Sequence, residues 1–458
     1  MSAPRSPWRV FGIASLAVFL VSIDATVLYA AFPALRRSFP AASAGELSWV
    51  LNGYTVVYAA LLVPAGRLAD LRGRKRTFEQ GLVVFLLASL ACGLAPSVPI
   101  LVAARVVQAV GAALLLPSSL AIVLAAFPAT RRAVVVSLWG AVSGLAAAIG
   151  PGLGAAVVEH AGWAWAFFLN LPLGAFAWWR ARRTLDESRN LDAGAPLDVP
   201  GVAMIVVGVA AVAFALVHTE VAGWASPQVL APLAGGLLLL AGFVGWARRA
   251  PAPAIDLSLF DDRSYRYVNL ATLTFGIGFA MMFFSFFAFM TGIWGYSVAL
   301  AGLAMTPGPA AVVPSSIVGG RLAARLGHKP VLVVGCLLVA AGAMWAFAVP
   351  GVEPDFVRAW LPGQLIGGVG VGLALPSLSA AAVARLPPSR FGVGSAVNQA
   401  TRQIGAVLGV ALAVALLHGT PTIAAFGRAY LWQAAFALAT AVACLAVDTR
   451  PRQVAERR

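Results

Sequence analysis

The decapeptide GRLADLRGRK occupies Gly66–Lys75, at the end of a long apolar run, and nearly recurs as GRLAARLGHK at Gly320–Lys329. The two copies lie 254 residues apart in a chain of 458 residues. A second set of matched positions, 259 residues apart, consists of Gly111, Pro117 and Ser118 with Gly370, Pro376 and Ser377. A repeat of this length predicts two related halves in the same orientation. The second copy has Ala324 where the first has Asp70, so the halves have diverged.

The composition around this repeat is that of a membrane protein. Hydrophobic residues make up 60% of the chain and charged residues 11%, with a mean hydropathy of +0.88. A soluble domain is about 25% charged. A bilayer-crossing helix needs about 20 mostly apolar residues. We count fourteen such runs, near residues 10–33, 47–68, 77–95, 98–124, 132–157, 163–179, 198–217, 228–246, 267–292, 297–320, 330–349, 359–384, 391–417 and 429–447.

The seventh and eighth runs separate a fourteen-span protein from a twelve-span protein with a long central linker. Residues 202–217 and 229–246 carry no charge, so we predict that both runs are spans. The expected fold is an all-α polytopic membrane protein with fourteen transmembrane helices. It comprises a six-helix bundle at 1–183, a linker with two additional transmembrane helices at 184–262, and a second six-helix bundle at 263–458. Parallel halves with a substrate site between them are typical of secondary transporters.

The positive charges indicate the orientation in the membrane. The net charge is +15, from 32 basic and 17 acidic residues. Of the basic residues, 26 fall on one side of the predicted membrane, four on the other, and two within spans. The positive-inside rule then predicts cytoplasmic termini, and this sorting argues against a basic face for nucleic acid. Removing the seventh and eighth runs together would preserve the pattern, so the rule does not choose between twelve and fourteen spans.

Two charges, Asp24 and Arg105, lie deep inside predicted spans. Asp24 is about 14 residues, or roughly 21 Å, into the first span. Arg105 is about seven residues, or roughly 10 Å, into the fourth span from the outer side, a comparable depth. A carboxylate there costs about 2.5–3.5 kcal/mol, so we expect it to face the bundle interior and to have a function. The alternative is a static ion pair that holds the first bundle together.

Four sequence blocks together resemble a known family. They are SIDATV at 22–27 with AFP at 31–33, the loop motif at 66–76, RVVQAVG at 105–111, and the glycine-rich set Gly140, Gly144, Gly150, Pro151, Gly152 and Gly154. The chain resembles the major facilitator superfamily, and within it the fourteen-span drug:proton antiporter branch. Ala109 and Ala155 stand where that branch usually has glycine.

The resemblance implies roles for these residues. It implies proton coupling by Asp24 and Arg105. It implies a conformational switch in the loop motif, at Gly66, Asp70, Gly73 and Arg74, although the glycines also fit simple helix packing. It implies helix packing by the antiporter-motif residues Gly140, Gly144, Gly150, Pro151 and Gly154, which form small-xxx-small pairs of a kind found in many membrane bundles.

Arg402 is a third charge near mid-membrane, in the thirteenth run. Asn398, Arg402, Gly405 and Gly409 fall on one helical stripe, which we interpret as facing the central cavity. A static hydrogen bond to a neighbouring helix is the alternative. The spans of the second half contain no acidic residue, which favours a carbonyl, water or anionic substrate as the partner of Arg402.

Scattered polar residues and an aromatic-rich span are further candidates for the substrate cavity. The ninth run contains seven phenylalanines, of which two or three would face a cavity. The candidates, together with two residues of the stripe, are Tyr29, Asn52, Tyr58, Gln108, Asn269, Phe283, Gln364, Asn398 and Arg402.

The sequence shows no means of using ATP and no enzyme site. Its two lysines, Lys75 and Lys329, are not in phosphate-binding loops, and the four histidines lack metal-ligand spacing. We expect no cofactor, metal or catalytic residue. The predicted partners are a small-molecule substrate, protons and the lipid bilayer, with no nucleic acid, and the chain is expected to be a monomer.

The leading hypothesis is proton-coupled efflux of small amphipathic organic compounds or drugs by alternating access. The alternatives are a dedicated exporter of one metabolite, lipid or self-made antibiotic, and a non-transporting membrane sensor. Arginine outnumbers lysine 30 to 2, which suggests a GC-rich bacterial genome and thus the bacterial cytoplasmic (inner) membrane.

Overall fold

The computed structural model describes residues 6–189, 198–386, 390–417 and 422–449, and within these ranges it contains sixteen α-helices and no β-strand. The N-terminal half comprises α1 (Pro7–Ser38), α2 (Ala44–Arg72), α3 (Arg74–Gly93), α4 (Val98–Ala126), α5 (Ala129–Ala161), α6 (Trp165–Phe168) and α7 (Asn170–Thr184). The central pair comprises α8 (Val199–Ala222) and α9 (Pro227–Ala247). The C-terminal half comprises α10 (Arg263–Gly292), α11 (Val298–Met305), α12 (Pro307–Leu326), α13 (His328–Ala348), α14 (Leu361–Val383), α15 (Phe391–Leu416) and α16 (Ile423–Leu445).

The helix count differs from the fourteen predicted because two of the apolar runs are each divided into two helices. The sixth run is interrupted at Leu169, between α6 and α7. The tenth is interrupted at Thr306, just before Pro307, whose ring cannot donate a backbone hydrogen bond. A short 3₁₀ turn at Leu257–Asp261 and a π turn at Phe356–Trp360 precede α10 and α14.

Eleven segments of the described residues are long and apolar enough to cross a membrane. They include α8 and α9, which correspond to the seventh and eighth predicted spans. The helices α3, α5 and α6–α7 lie outside the eleven. Charged side chains at Arg74, Lys75, Arg76 and Glu79 occupy the start of α3, and α7 has only 15 residues.

The internal repeat is visible in the backbone. Gly73 joins α2 to α3 with φ +113°, and Gly327 joins α12 to α13 with φ +81°. Only glycine adopts this region without strain, so both copies of the loop motif require it. The inter-helix contacts repeat as well. A Cβ on Gly111 would lie 2.6 Å from the Phe85 nitrogen, and one on Gly370 would lie 2.6 Å from the Val339 nitrogen.

The two halves meet along defined helix pairs. Helix α2 packs against α15, and α5 packs against α11 and α12. The central pair lies beside the first of these contacts, because Val56 of α2 and Val407 of α15 share an apolar cluster with Val209 of α8 and Phe243 of α9. The residues at the junction of the halves therefore come mainly from α2, α5, α11, α12 and α15.

Candidate functional site

Asp24 of α1 and Arg105 of α4 form a buried ion pair. The Arg105 Nη1 atom lies 2.6 Å from Asp24 Oδ2, and each side chain is 1% exposed. The two residues are 81 positions apart in the chain and meet because their helices present them at the same depth. The sequence singled out both residues individually; the structure shows that they contact each other.

Amide groups complete a hydrogen-bond network around the carboxylate. Asp24 Oδ1 accepts from Gln108 Nε2 at 2.9 Å and from Asn170 Nδ2 at 2.8 Å. The Gln108 amide also donates to the Ser89 hydroxyl at 2.8 Å. Gln108, Asn170 and Ser89 are all buried. The Asp24 carboxylate thus accepts hydrogen bonds from three side chains, those of Arg105, Gln108 and Asn170.

Asn170 and Ser89 were not predicted from the sequence. Asn170 begins α7, directly after the break between α6 and α7, and it stands in an otherwise apolar and aromatic run. A lone amide in such a run must find a hydrogen-bonding partner, and that requirement was the available signal. Ser89 is one small polar residue in α3 and carries no such signal.

The guanidinium of Arg105 is enclosed on its remaining sides. Its Nε donates to the Val50 carbonyl at 3.1 Å, and Nη1 also donates to Gln108 Oε1 at 2.5 Å. Its Cζ lies 4.0 Å from the centroid of the Tyr54 ring, in cation–π geometry. Because the Arg105 side chain is only 1% exposed, its charge depends on Asp24 for compensation.

The aromatic side chains lead from this ion pair to the other half of the molecule. Tyr54 stacks on Tyr58, with ring centroids 5.8 Å apart and planes inclined by 20°. Tyr58 packs in one apolar cluster with Ala400 of α15, the helix that carries Gln399 and Arg402. Tyr58 and Arg402, both predicted for the cavity, are therefore placed together across the junction of the halves.

Asn398 and Asn269 lie inside the C-terminal half. The Asn398 amide donates to Asn269 Oδ1 at 3.2 Å and to the Thr272 hydroxyl at 2.9 Å. Gly405 and Gly409, on the same stripe of α15, pack against the backbone of α10. The structure therefore places Asn398, Gly405 and Gly409 of this stripe against α10.

The other cavity candidates are dispersed. Asn52 is 1% exposed, and among the described residues neither of its amide atoms has a hydrogen-bond partner. Gln364 donates to the Met305 carbonyl at 3.0 Å, while its own carbonyl has no partner within the same described ranges. Phe283 packs on Phe279, with centroids 5.0 Å apart. The side chain of Tyr29 lies outside the described set.

The loop motif at the end of α2 contains an ion pair and binds the carboxylate of Glu187, a contact that we call the clamp. Arg74 Nη2 lies 2.8 Å from the Asp70 carboxylate, one turn away. The carboxylate of Glu187 accepts from the backbone nitrogens of Lys75 and Arg76, both at 3.1 Å. Glu187 thereby satisfies free donors at the N-terminus of α3, where the helix dipole favours an anion.

Two glycines of this loop motif, Gly73 and Gly66, allow neighbouring groups to approach the backbone closely. A Cβ on Gly73 would lie 2.5 Å from the Glu187 carboxyl carbon, so the clamp requires glycine there. A Cβ on Gly66 would lie 3.3 Å from Pro117 of α4, a tight but tolerable contact. Glu187 follows α7 without any spacing pattern, and the sequence did not reveal it.

The glycine-rich motif of α5 lies against α1 beside the ion pair. A Cβ on Gly150 would overlap the Thr26 hydroxyl, and one on Gly154 would lie 2.8 Å from the Val27 Cα. Gly140 has no neighbour within 4 Å of such an atom. Gly144 and Pro151 lie in α5, but their side-chain surroundings are outside the described set. Gly150 and Gly154 thus fix the distance between α5 and the segment that follows Asp24.

Comparison with known proteins places the chain among membrane transporters. The family model described as Major Facilitator Superfamily matches residues 14–260 and 268–454. The multidrug resistance protein Stp of Mycobacterium tuberculosis is 34% identical over 401 residues, which cover 87% of this chain and 73% of that protein. The methylenomycin A resistance protein of Streptomyces coelicolor is 33% identical over 410 residues, covering 88% and 84%.

Two further similarities extend along nearly the whole chain. The cephamycin export protein CmcT of Amycolatopsis lactamdurans is 33% identical over 449 residues, covering 94% of this chain and 90% of that protein. The crystal structure of an auto-inhibited POT family peptide transporter aligns with a TM-score of 0.67 at 17% identity, covering 97% and 98%. At that identity the structural similarity concerns the fold alone.

Proposed function

The chain belongs to the major facilitator superfamily, and we propose that it is a fourteen-span, proton-coupled antiporter that exports small amphipathic organic compounds, drugs among them. Its relatives include bacterial proteins named for multidrug resistance and for resistance to or export of antibiotics. Their names support a small-molecule substrate and a site in the bacterial inner membrane. We extend the proposal to cytoplasmic termini, a monomeric chain and the division into bundles at 1–183 and 263–458.

The buried Asp24–Arg105 pair carries the proton-coupling part of the proposal. Protonating Asp24 would remove the charge that faces Arg105 at 2.6 Å. Removing one partner of a buried ion pair costs about 3–5 kcal/mol. One charge crossing 100 mV is worth about 2.3 kcal/mol. The two quantities are of the same order, and we take protonation of Asp24 as the event that shifts the protein toward another conformation.

The surroundings of Asp24 offer a route for that shift. Thr26 and Val27, just beyond Asp24, are the residues against which Gly150 and Gly154 of α5 pack. Between these two glycines, a Cβ on Gly152 would lie 3.6 Å from the Thr306 hydroxyl oxygen and 3.7 Å from Leu303, both of the other half. A displacement of α1 is therefore passed to α5 and from there to the contact between the halves. Alternating access requires a movement at this contact.

The energy source of the proposed export is the proton gradient, and this is directly testable. A proton gradient would be imposed across inverted membrane vesicles that contain the full chain. Amphipathic compounds would be added outside, and their uptake into the vesicles would be measured. We expect compound accumulation that stops when the gradient is collapsed. Accumulation that ignores the collapsed gradient would refute antiport, and its absence for every compound would refute export.

A dedicated exporter of a single compound is the second candidate. Two of the relatives carry the name of one antibiotic each, methylenomycin A and cephamycin. Susceptibility profiling of a drug-sensitive bacterium, with and without the chain, separates the candidates. Protection against structurally unrelated compounds supports multidrug export, whereas protection against one compound class supports the dedicated exporter.

A further inference from the structure

Arg402 of α15 carries a charge that the network around Asp24 does not use. Helices α10–α16 contain neither Asp nor Glu, so the C-terminal half offers no intramembrane carboxylate. Within the part of the chain that the structure describes, the Arg402 side chain makes neither a hydrogen bond nor an ion pair. A guanidinium inside a membrane is costly unless it serves a bound group or pathway.

The helical position of Arg402 directs its side chain to the junction of the halves. Gly405, on one side of it, packs against the backbone of α10 in the same half. Val410, on the other side, packs in a cluster with residues of α1 and α2. With 3.6 residues per turn, Arg402 lies between these two faces. Tyr58 of α2 packs in one apolar cluster with Ala400 and thus lies across the junction from this part of α15.

Asp24 does not compensate this charge. Its carboxylate faces Arg105 and already accepts hydrogen bonds from two amides. Arg105 covers the Tyr54 ring, and Tyr54 stacks on Tyr58, which packs against α15 through Ala400. The three central charges therefore sum to one positive charge, which a monoanion would neutralise.

We propose that Arg402 binds the anionic group of the exported compound, so that the substrates are amphipathic organic acids, in the first place carboxylates. This inference rests on the proposed export function. A guanidinium binds a carboxylate through two parallel hydrogen bonds. Gln399, three residues before Arg402 on α15, and Tyr58 across the junction can supply further donors, and the faces of the tyrosine rings suit the apolar body of the compound. Organic cations are disfavoured, because they would add to the charge already present.

Three probes with the same aromatic body and different charges test this inference. Naphthoate, naphthamide and naphthylmethylammonium would be compared in inverted vesicles that contain the full chain. We expect export of naphthoate, and a loss of at least about tenfold in Arg402→Gln, as for one hydrogen-bonded charge. Arg402→Lys should retain part of the activity because it keeps the charge. Arg358→Gln, which removes an exposed arginine outside the junction, is the matched control.

The outcomes separate this inference from the proposed function. Preferential export of the cationic probe, or an equal loss for all probes in Arg402→Gln, would overturn the anion site. Naphthoate export that needs Arg402 but ignores the proton gradient would overturn antiport and leave the anion site supported. Export of none of the probes would overturn the anion site together with the export function on which it rests.

Discussion

Replacing Gly154 with alanine should separate α1 from α5 and damage both stability and transport. The added Cβ would lie 2.8 Å from the Val27 Cα and 2.9 Å from its Cγ1. Carbon atoms in contact prefer about 3.5–4.0 Å, so the helices must part by roughly 1 Å. A backbone atom cannot rotate away, and overpacking of this kind costs about 1–3 kcal/mol. Asp24 lies one turn before Val27, so the displacement also reaches the ion pair.

Gly140 provides a matched control on the same helix. Nothing lies within 4 Å of a Cβ at this position, and the residue is exposed. Alanine has a higher helix propensity than glycine and meets no neighbour there. Gly140→Ala should therefore increase the stability of the protein, by about 1 kcal/mol at most.

The assay compares thermal unfolding in detergent and compound export for the two variants. We expect Gly154→Ala to melt at a lower temperature and to export more slowly than Gly140→Ala, which should match or exceed the original chain in stability. Equal stability and equal export of the two variants would refute the conclusion that stability and transport require the close α1–α5 contact.

Three further predictions concern the network and the loop clamp. Asn170→Ala should lower export about tenfold or more, because it removes a hydrogen bond to a buried charge. The control in the same export assay is Gln433→Ala, since the buried Gln433 amide has no hydrogen-bond partner among the described residues. Equal losses in the two variants would contradict the network. Glu187→Ala should destabilise the protein by about 1 kcal/mol through loss of the α3 cap, measured by thermal unfolding. Gly73→Ala should destabilise the protein more than Glu187→Ala does, since both the positive φ of Gly73 and the Glu187 contact oppose a side chain. In the double variant the two losses of stability should be less than additive. Full additivity would argue against the contact between Gly73 and Glu187.

The repeat was the feature of the fold that the sequence revealed most directly. The matched decapeptides predict two related halves, and Gly73 and Gly327 occupy equivalent turns with positive φ. Matching glycines in α4 and α14 also make equivalent backbone contacts. Such features are legible because glycine at a fixed position reflects a local backbone requirement. The breaks at Leu169 and Thr306 were not predicted, because hydropathy measures apolar length and does not detect a local change in backbone hydrogen bonding.

The candidate site was predicted in part. Depth along a span identified Asp24 and Arg105, since any charge at that position is conspicuous in an apolar run. Their contact, and the contribution of Asn170, depend on how each helix is rotated and on which helices adjoin. Those quantities are set by tertiary packing and leave little trace in one sequence. The stripe on α15 illustrates this limit: its period was recognisable, but the helix it faces was not.

The most direct test of coupling through Asp24 compares two transport modes of Asp24→Asn in proteoliposomes, using a compound that the original chain exports. Gradient-driven accumulation requires a proton to bind and leave the carboxylate, whereas exchange of labelled for unlabelled compound does not. Glu46→Gln, which removes a carboxylate from the capping box of α2, is the control and should keep both modes. Coupling through Asp24 predicts that Asp24→Asn loses gradient-driven accumulation but keeps exchange. Gradient-driven accumulation at the original rate in Asp24→Asn would contradict it.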